Sequence, residues 1–269
     1  LPVQKNNARR LVLEDHELTL APSASVLAAL ERQADRRPAE KLLAITADAV
    51  FSRSDGRVAL GSRSHGLAWR FDRLPATAEE ARRLGSVAAA YAPLVQSGFD
   101  AQAAWVLSDA ARDFRWLHFA THAFFDPRYP EQSGLVLSLV DRVGQPIDGL
   151  LTPGKLRRLE LEAELVVLSA CATALGQQFE GEGVVGLAQA FFTGGASRLV
   201  ASLWEVPDNE LTVSLMEDFY RRLLAGETPP AALRAAQLKQ HREGVSPRQW
   251  AAFVFIGPWS PLAPLPAGR

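Results

Sequence analysis

The sequence contains a single cysteine, Cys171, and a single methionine, Met216, in 269 residues. One cysteine cannot form an intramolecular disulfide, and it excludes a cysteine-based zinc finger. Five histidines occur without paired spacing, so neither a metal site nor a cofactor is expected. No apolar run approaches the roughly 20 residues needed to span a bilayer, and Leu1-Pro2-Val3-Gln4-Lys5 is not the start of a signal peptide. Charge of either sign is nowhere concentrated: 29 basic residues face 30 acidic ones, for a net charge of -1. Nucleic acid is thereby disfavoured as the main partner, because neutralising phosphates needs a basic patch. The expected location is the cytoplasm, without membrane contact. The first residue is not methionine, so the chain reads as a piece of something longer.

What is present is ordinary for a folded domain. Hydrophobic residues make up 48% and charged residues 22%, which rules out disorder and fibrous repeats. Leu11-Val12-Leu13 and Leu18-Thr19-Leu20 read as short edge strands. Ser25 to Arg37 reads as a helix ended by Pro38, and Leu42-Leu43-Ala44-Ile45 as a buried strand. The polar stretch from Ser52 to Gly66 is expected as a loop or small hairpin. Thr77 and Glu80 have capping-box spacing and predict a helix running to about Tyr91. Ala101 to Asp113 predicts another.

Further along, strands and helices alternate. Strands are expected at Trp116–Thr121, Leu135–Leu139, Leu165–Ala170, Arg198–Trp204 and Trp250–Ile256. Thr152-Pro153 opens a short helix, with proline where its missing N–H costs nothing. Helices are expected from Val184 to Thr193, stopped by Gly194-Gly195, along the stripe Leu211, Leu215, Phe219 and Leu223, and from Pro230 to Arg242. This alternation predicts an α/β fold with a largely parallel central sheet flanked by helices. No repeat or mid-chain linker interrupts it, so residues 1–257 read as one domain, followed by a loose proline-rich tail over 258–269.

Sites in such sheets form beyond the carboxyl ends of the strands. His122 and Cys171 each follow a predicted strand directly, 49 residues apart. If those strands are parallel neighbours, imidazole and thiol meet at one rim. The plainer reading is that Cys171 is a small buried hydrophobe beside Val-Val-Leu-Ser-Ala. His118, within its strand, reads as a hydrogen-bonded core histidine, and His16, His65 and His241 need no role.

The segments Leu117-His118-Phe119-Ala120-Thr121-His122 and Leu165-Val166-Val167-Leu168-Ser169-Ala170-Cys171 resemble the two catalytic segments of CHAT domains, caspase-like cysteine peptidases often attached to tetratricopeptide repeats. Gly181-Glu182-Gly183-Val184-Val185-Gly186-Leu187-Ala188, Ala201-Ser202-Leu203-Trp204-Glu205-Val206 and Ala232-Leu233-Arg234-Ala235-Ala236-Gln237 extend the likeness in order, as do shorter matches at Ala21–Ser25, Phe219-Tyr220 and Trp250–Phe253. The resemblance implies a caspase-like three-layer sandwich. It also implies a cysteine endopeptidase in which Cys171 is the nucleophile and His122 the general base and acid. Backbone N–H groups at Ala123 and Cys171 would then hold the oxyanion. Ser202, Trp204 and Glu205 match the segment that pairs with an extended peptide, although Trp204 reads equally as a cap on the core. Asp126, Glu205 and Asp208 are candidates to line a pocket for a basic side chain. The expected partners are a protein or peptide substrate and an N-terminal helical-repeat region or regulatory partner beyond this sequence.

The chain departs from its relatives around both residues of the dyad. Ala123 stands where they usually have glycine, which would strain the backbone if the site needs positive φ. Cys171-Ala172-Thr173-Ala174 replaces their usual Cys-Glu-Thr-Gly. A catalytically weak or inactive protein-binding module therefore competes with the peptidase. Gly181-x-Gly183-x-x-Gly186 is formally a dinucleotide fingerprint with Glu205 as the ribose carboxylate. The ten residues 171–180, though, separate it from its strand, where a dinucleotide loop would follow at once. No Gly-x-Ser-x-Gly elbow supports a serine hydrolase.

Overall fold

The computed structural model describes residues 2–5, 8–59, 71–126, 129–169, 171–172 and 182–266. Residues 2–5, 8–9, 130, 171–172 and 182–185 are described by backbone alone. His65, Thr173, Ala174, Gly181 and the end of the expected Ser52–Gly66 loop lie outside the described residues. Among the described residues the strands are β1 (Pro2–Lys5), β2 (Ala8–Leu11), β3 (Thr19–Leu20), β4 (Lys41–Ala47), β5 (Leu94–Ser97), β6 (Phe114–Ala120), β7 (His122–Phe124), β8 (Gly134–Val136), β9 (Leu150–Leu151), β10 (Leu165–Leu168), β11 (Cys171–Ala172), β12 (Leu199–Ser202) and β13 (Phe253–Ile256).

Seven of them form the central sheet in the order β3-β13-β12-β10-β6-β4-β5. The run from β12 to β5 is parallel, and β13 joins antiparallel to β12. Strand residues alternate between two cores. Ala44, Leu117, Phe119, Val166 and Leu168 pack with Leu30 of the helix Ala24–Ala34 and with Leu187 and Phe191 of the helix Glu182–Thr193. Leu43, Ile45, Trp116, Leu165 and Val167 face the other way, toward helices Pro75–Val87, Glu210–Leu224 and Pro229–Arg242. Helices thus cover both faces, giving the three-layer sandwich that the alternation predicts. Burial on both sides is why these strands are continuous apolar runs. No described helix is long and apolar enough to cross a membrane.

A second sheet, β11-β7-β8-β9, grows from the carboxyl ends of β6 and β10. Its origin is the bend at Thr121, whose buried hydroxyl donates to the Val136 carbonyl and ties the exit of β6 to β8.

Four expectations need correction. Val12 and Leu13 belong to a helical turn, Val12–Asp15, and only Leu11 is strand. The Ala101–Asp113 helix is a short turn, Ala103–Val106, followed by a 3-10 segment, Asp109–Asp113.

Thr77 does not open a helix. Proline at the first position starts that helix at Pro75, and the Thr77 hydroxyl donates to the Leu74 carbonyl while accepting from the Asp48 N–H. Its supposed capping partner, Glu80, is buried with a carboxylate oxygen 2.9 Å from His118 Nε2. His118 Nδ1 lies 3.1 Å from the Tyr220 hydroxyl, so His118 is the core histidine expected.

Nor is the tail loose over its described part. Buried Arg198 donates to the Pro258 carbonyl and to Ser260 Oγ, and buried Arg115 donates to the carbonyls of Ala263 and Pro264. Leu262 and Leu265 pack on the core. Proline content reports the chain's stiffness and is silent about these two buried cations.

Candidate functional site

The register of the two sheets assembles the site. In the central sheet Leu165 pairs with Trp116 and Leu168 with Phe119; in the small sheet Cys171 pairs with His122 and Ala172 with Ala123. All four pairs are 49 residues apart, so β6 and β10 leave one sheet and enter the other together, without a slip. Partnered residues on neighbouring parallel strands sit about 4.8 Å apart. The two residues singled out by chemistry are therefore adjacent in the backbone.

His122 is buried, and its ring lies 4.9 Å from that of Phe51 and 5.3 Å from that of Phe71. Nε2 is 2.8 Å from the Asp72 carbonyl oxygen. A carbonyl only accepts, so Nε2 carries the proton and Nδ1 holds the lone pair. Nδ1 is buried and has no hydrogen-bond partner among the described residues. Burial pushes the imidazole below its ordinary value, while the Asp72 carbonyl and the carboxylates of Asp72, Asp208 and Glu205 pull it back. The neutral ring is thus an oriented base at pH 7.

The segment that supplies the Asp72 carbonyl is held at two points just beyond it. Arg73 makes a two-pronged pair with Asp48 at 2.9 and 3.0 Å, just past the end of β4. Asp208 Oδ2 accepts from the Ala76 N–H at 3.1 Å, at the first turn of the helix Pro75–Val87. An acceptor at a helix N-terminus meets an N–H that the helix cannot satisfy. Burial pushes the Asp208 carboxyl up, and that N–H draws it back down.

The remaining candidates surround this centre. Ala123 has no positive φ, since among described non-glycine residues only Asp48 and Ala92 do. Its methyl packs in the core on the face opposite His122, and the strain expected of a positive φ does not arise. Ser202 ends β12, buried, opposite Phe253. Trp204 is 38% exposed and donates its indole N–H to the Arg248 carbonyl at 2.9 Å. Glu205 is exposed in the same loop and lies near enough to His122 to act on its charge. Asp126 accepts from the Tyr129 N–H beyond the end of β7. Sequence reasoning missed Phe51, Phe71, Asp72 and Asp48. Phe71 and Asp72 act through a ring and a backbone carbonyl, which leave no motif.

Solved structures share this architecture. The Arg-specific cysteine proteinase gingipain R matches with a TM-score of 0.53 at 12% identity, over 88% of this chain and 52% of that one. Separase in the Saccharomyces cerevisiae separase–securin complex also reaches 0.53, at 13% identity over 93% of this chain and 14% of the other. These likenesses show the caspase-like fold. Among curated proteins, tetratricopeptide repeat protein 28 of Mus musculus is 36% identical over 110 residues, and that of Homo sapiens 34%. Each alignment takes in 40% of this chain and 4% of the relative's length. The family model for the CHAT domain matches residues 2–258, nearly the whole chain, and the chain belongs to the CHAT domain family.

Proposed function

We propose that this domain is a cysteine endopeptidase acting through Cys171 and His122. The observation that carries the reading is the unbroken register that makes these two residues backbone partners, with the lone pair of His122 on Nδ1. A free thiol is only a few per cent ionised at neutral pH, and an adjacent imidazole corrects that. His122 Nδ1 takes the thiol proton as sulfur attacks the scissile carbonyl carbon. The N–H groups of Ala123 and Cys171 receive the oxyanion. The intermediate collapses to a thioester as the C–N bond breaks and the amine leaves with the proton from Nδ1. Water then attacks the thioester, giving its proton to Nδ1, and the acid and thiol are released.

Ser202, Trp204 and Glu205 would line the path of an extended substrate, paired through its main chain. The acidic cluster near His122 favours a basic side chain before the cut, as in the Arg-specific proteinase of the same fold. Of Glu205 and Asp208, Glu205 is the better placed for this, because Asp208 already accepts from the Ala76 N–H. The mammalian relatives are named for tetratricopeptide repeats, which supports a reading in which neighbouring helical repeats regulate the domain.

A second reading keeps the fold as a protein-binding module without turnover. It rests on Ala172, which places a methyl where relatives usually carry a carboxylate. Iodoacetamide labelling at pH 7 separates the two. A working dyad labels Cys171 rapidly and slows at least tenfold in His122→Ala. Equal, sluggish labelling in both proteins would leave the binding module standing. Cleavage of cellular proteins by the full-length protein, absent from Cys171→Ala, is the direct test of turnover.

A further inference from the structure

The small sheet carries a cavity that the dyad does not use. His122 and Phe124 lie two residues apart on β7 and so share a face. Their cross-strand neighbours extend it: Val136 pairs with His122, and Leu150 with Val136. Over this face opens a cavity of about 200 Å³, walled mainly by Phe71, Phe124, Val136, Leu139 and Leu150 and completed by the polar side chains of Thr152 and the exposed Glu131 and Gln132. Phe71, Leu139 and Leu150 are half-buried. This far exceeds the roughly 10–15 Å³ that a single water needs, and it leaves room for one large side chain. Phe71 is the wall shared with the dyad, its ring 5.3 Å from His122 and 6.3 Å from Phe124.

Its position has a direction. The sheet order β11-β7-β8-β9 sets Cys171, His122, Val136 and Leu150 side by side, with the cavity on the far side of His122 from Cys171. When a thiolate attacks a peptide, the carbonyl carbon lies at the sulfur and the nitrogen lies toward the imidazole that protonates it. The polypeptide beyond that nitrogen then runs over His122 toward β8 and β9. We propose that this cavity is the subsite for the first large side chain after the scissile bond, and that it selects an aliphatic or aromatic residue there. The inference rests on the peptidase reading above and adds to it a preference on the leaving-group side.

The test is a peptide library, randomised at the residues following a cleavable bond, incubated with the full chain and read by mass spectrometry. Leucine, methionine or phenylalanine should be favoured over glycine by about tenfold or more, the scale of apolar side-chain discrimination in pockets. Leu150→Trp, which fills the cavity, should collapse that ratio toward one. Leu139→Phe narrows it from the other wall and should lower the ratio if Leu150→Trp does not fold. A flat preference in the wild type, or a ratio unmoved by the folded variants, overturns the subsite. Selection for arginine or lysine that disappears in Glu131→Gln also overturns it, assigning the cavity to its rim carboxylate. If nothing is cleaved, the same library is offered to Cys171→Ala for binding. Apolar selection that Leu150→Trp abolishes would keep the cavity and sink the peptidase; no selection would sink the subsite as well.

Discussion

His122 and Cys171 stand opposite each other because Trp116 and Leu165 do: the same 49-residue offset runs from the buried centre of the sheet to its rim. This pair of residues is therefore placed by core packing rather than by the loops around it. Trp116 and Leu165 are fully buried, and a one-residue slip would turn every inward side chain of β6 or β10 to the wrong core. The stability of the apolar sheet becomes the accuracy of the site.

The alanine after His122 follows from the same geometry. Ala123 lies in extended β7 with its methyl in the core beside β8. Replacing it with glycine removes a buried methyl and frees the backbone of a strand, costing about 1–2 kcal/mol together. Urea unfolding of Ala123→Gly should show that loss, and Cys171 labelling should not speed up. A faster reaction in the variant would mean that the methyl obstructs the site after all.

Much of this was legible in the sequence, and the limits have physical causes. β6 and β10 announce themselves as doubly apolar runs because both faces are covered, and His122 and Cys171 are conspicuous as an imidazole and a thiol within three residues of their ends. The Asp72 carbonyl, 50 residues from His122, leaves no trace because any residue offers a carbonyl. Thr77 has the right spacing for a cap, but Pro75 and a carboxylate 132 residues from Ala76 decide where that helix begins. The tail reads as loose by composition, whereas its described carbonyls are ligands for Arg115 and Arg198. Long-range partners, not local propensity, account for these three misses.

Burial of His122 predicts a pH effect with a definite sign. Its folded value lies below the ordinary 6.5, so the unfolded chain binds more protons between the two values. Stability then rises with pH through that window and is lost as pH falls below about 6.5. Urea midpoints measured from pH 7.5 down to 5 should fall more steeply for the wild type than for His122→Gln, which keeps a donor near the Asp72 carbonyl but does not titrate. Parallel curves would assign the acid sensitivity to other groups.

Asp208 links the loop bearing Trp204 and Glu205 to the segment that orients His122, through its bond to the Ala76 N–H. Losing a helix-capping acceptor costs about 1 kcal/mol. Asp208→Ala should show that decrease in stability together with slower iodoacetamide labelling of Cys171, because the Asp72 carbonyl loses its anchor. Asp208→Asn retains an oxygen acceptor and should recover most of both. A loss of stability in Asp208→Ala with unchanged labelling would make the residue a helix cap and nothing more.

The described tail is locked by an ion pair that solvent scarcely reaches. Arg115 Nε lies 2.6 Å from Glu164 Oε2, with side-chain exposures of 2% and 7%. Glu164 Oε1 also accepts from the Ala263 N–H at 2.9 Å, while Arg115 donates to the carbonyls of Ala263 and Pro264. Removing one member of such a pair leaves a buried charge uncompensated and costs about 3–5 kcal/mol. Glu164→Ala should lose that much in urea unfolding, and amide exchange over the described tail should accelerate, because the acceptor for Ala263 has gone. Changing both partners together, Arg115→Met with Glu164→Leu, removes the stranded charge and should restore much of the stability while leaving the tail free to exchange. If Glu164→Ala costs less than about 1 kcal/mol, the tail carbonyls suffice to hold Arg115, and the carboxylate is not what fastens the chain end to the sheet.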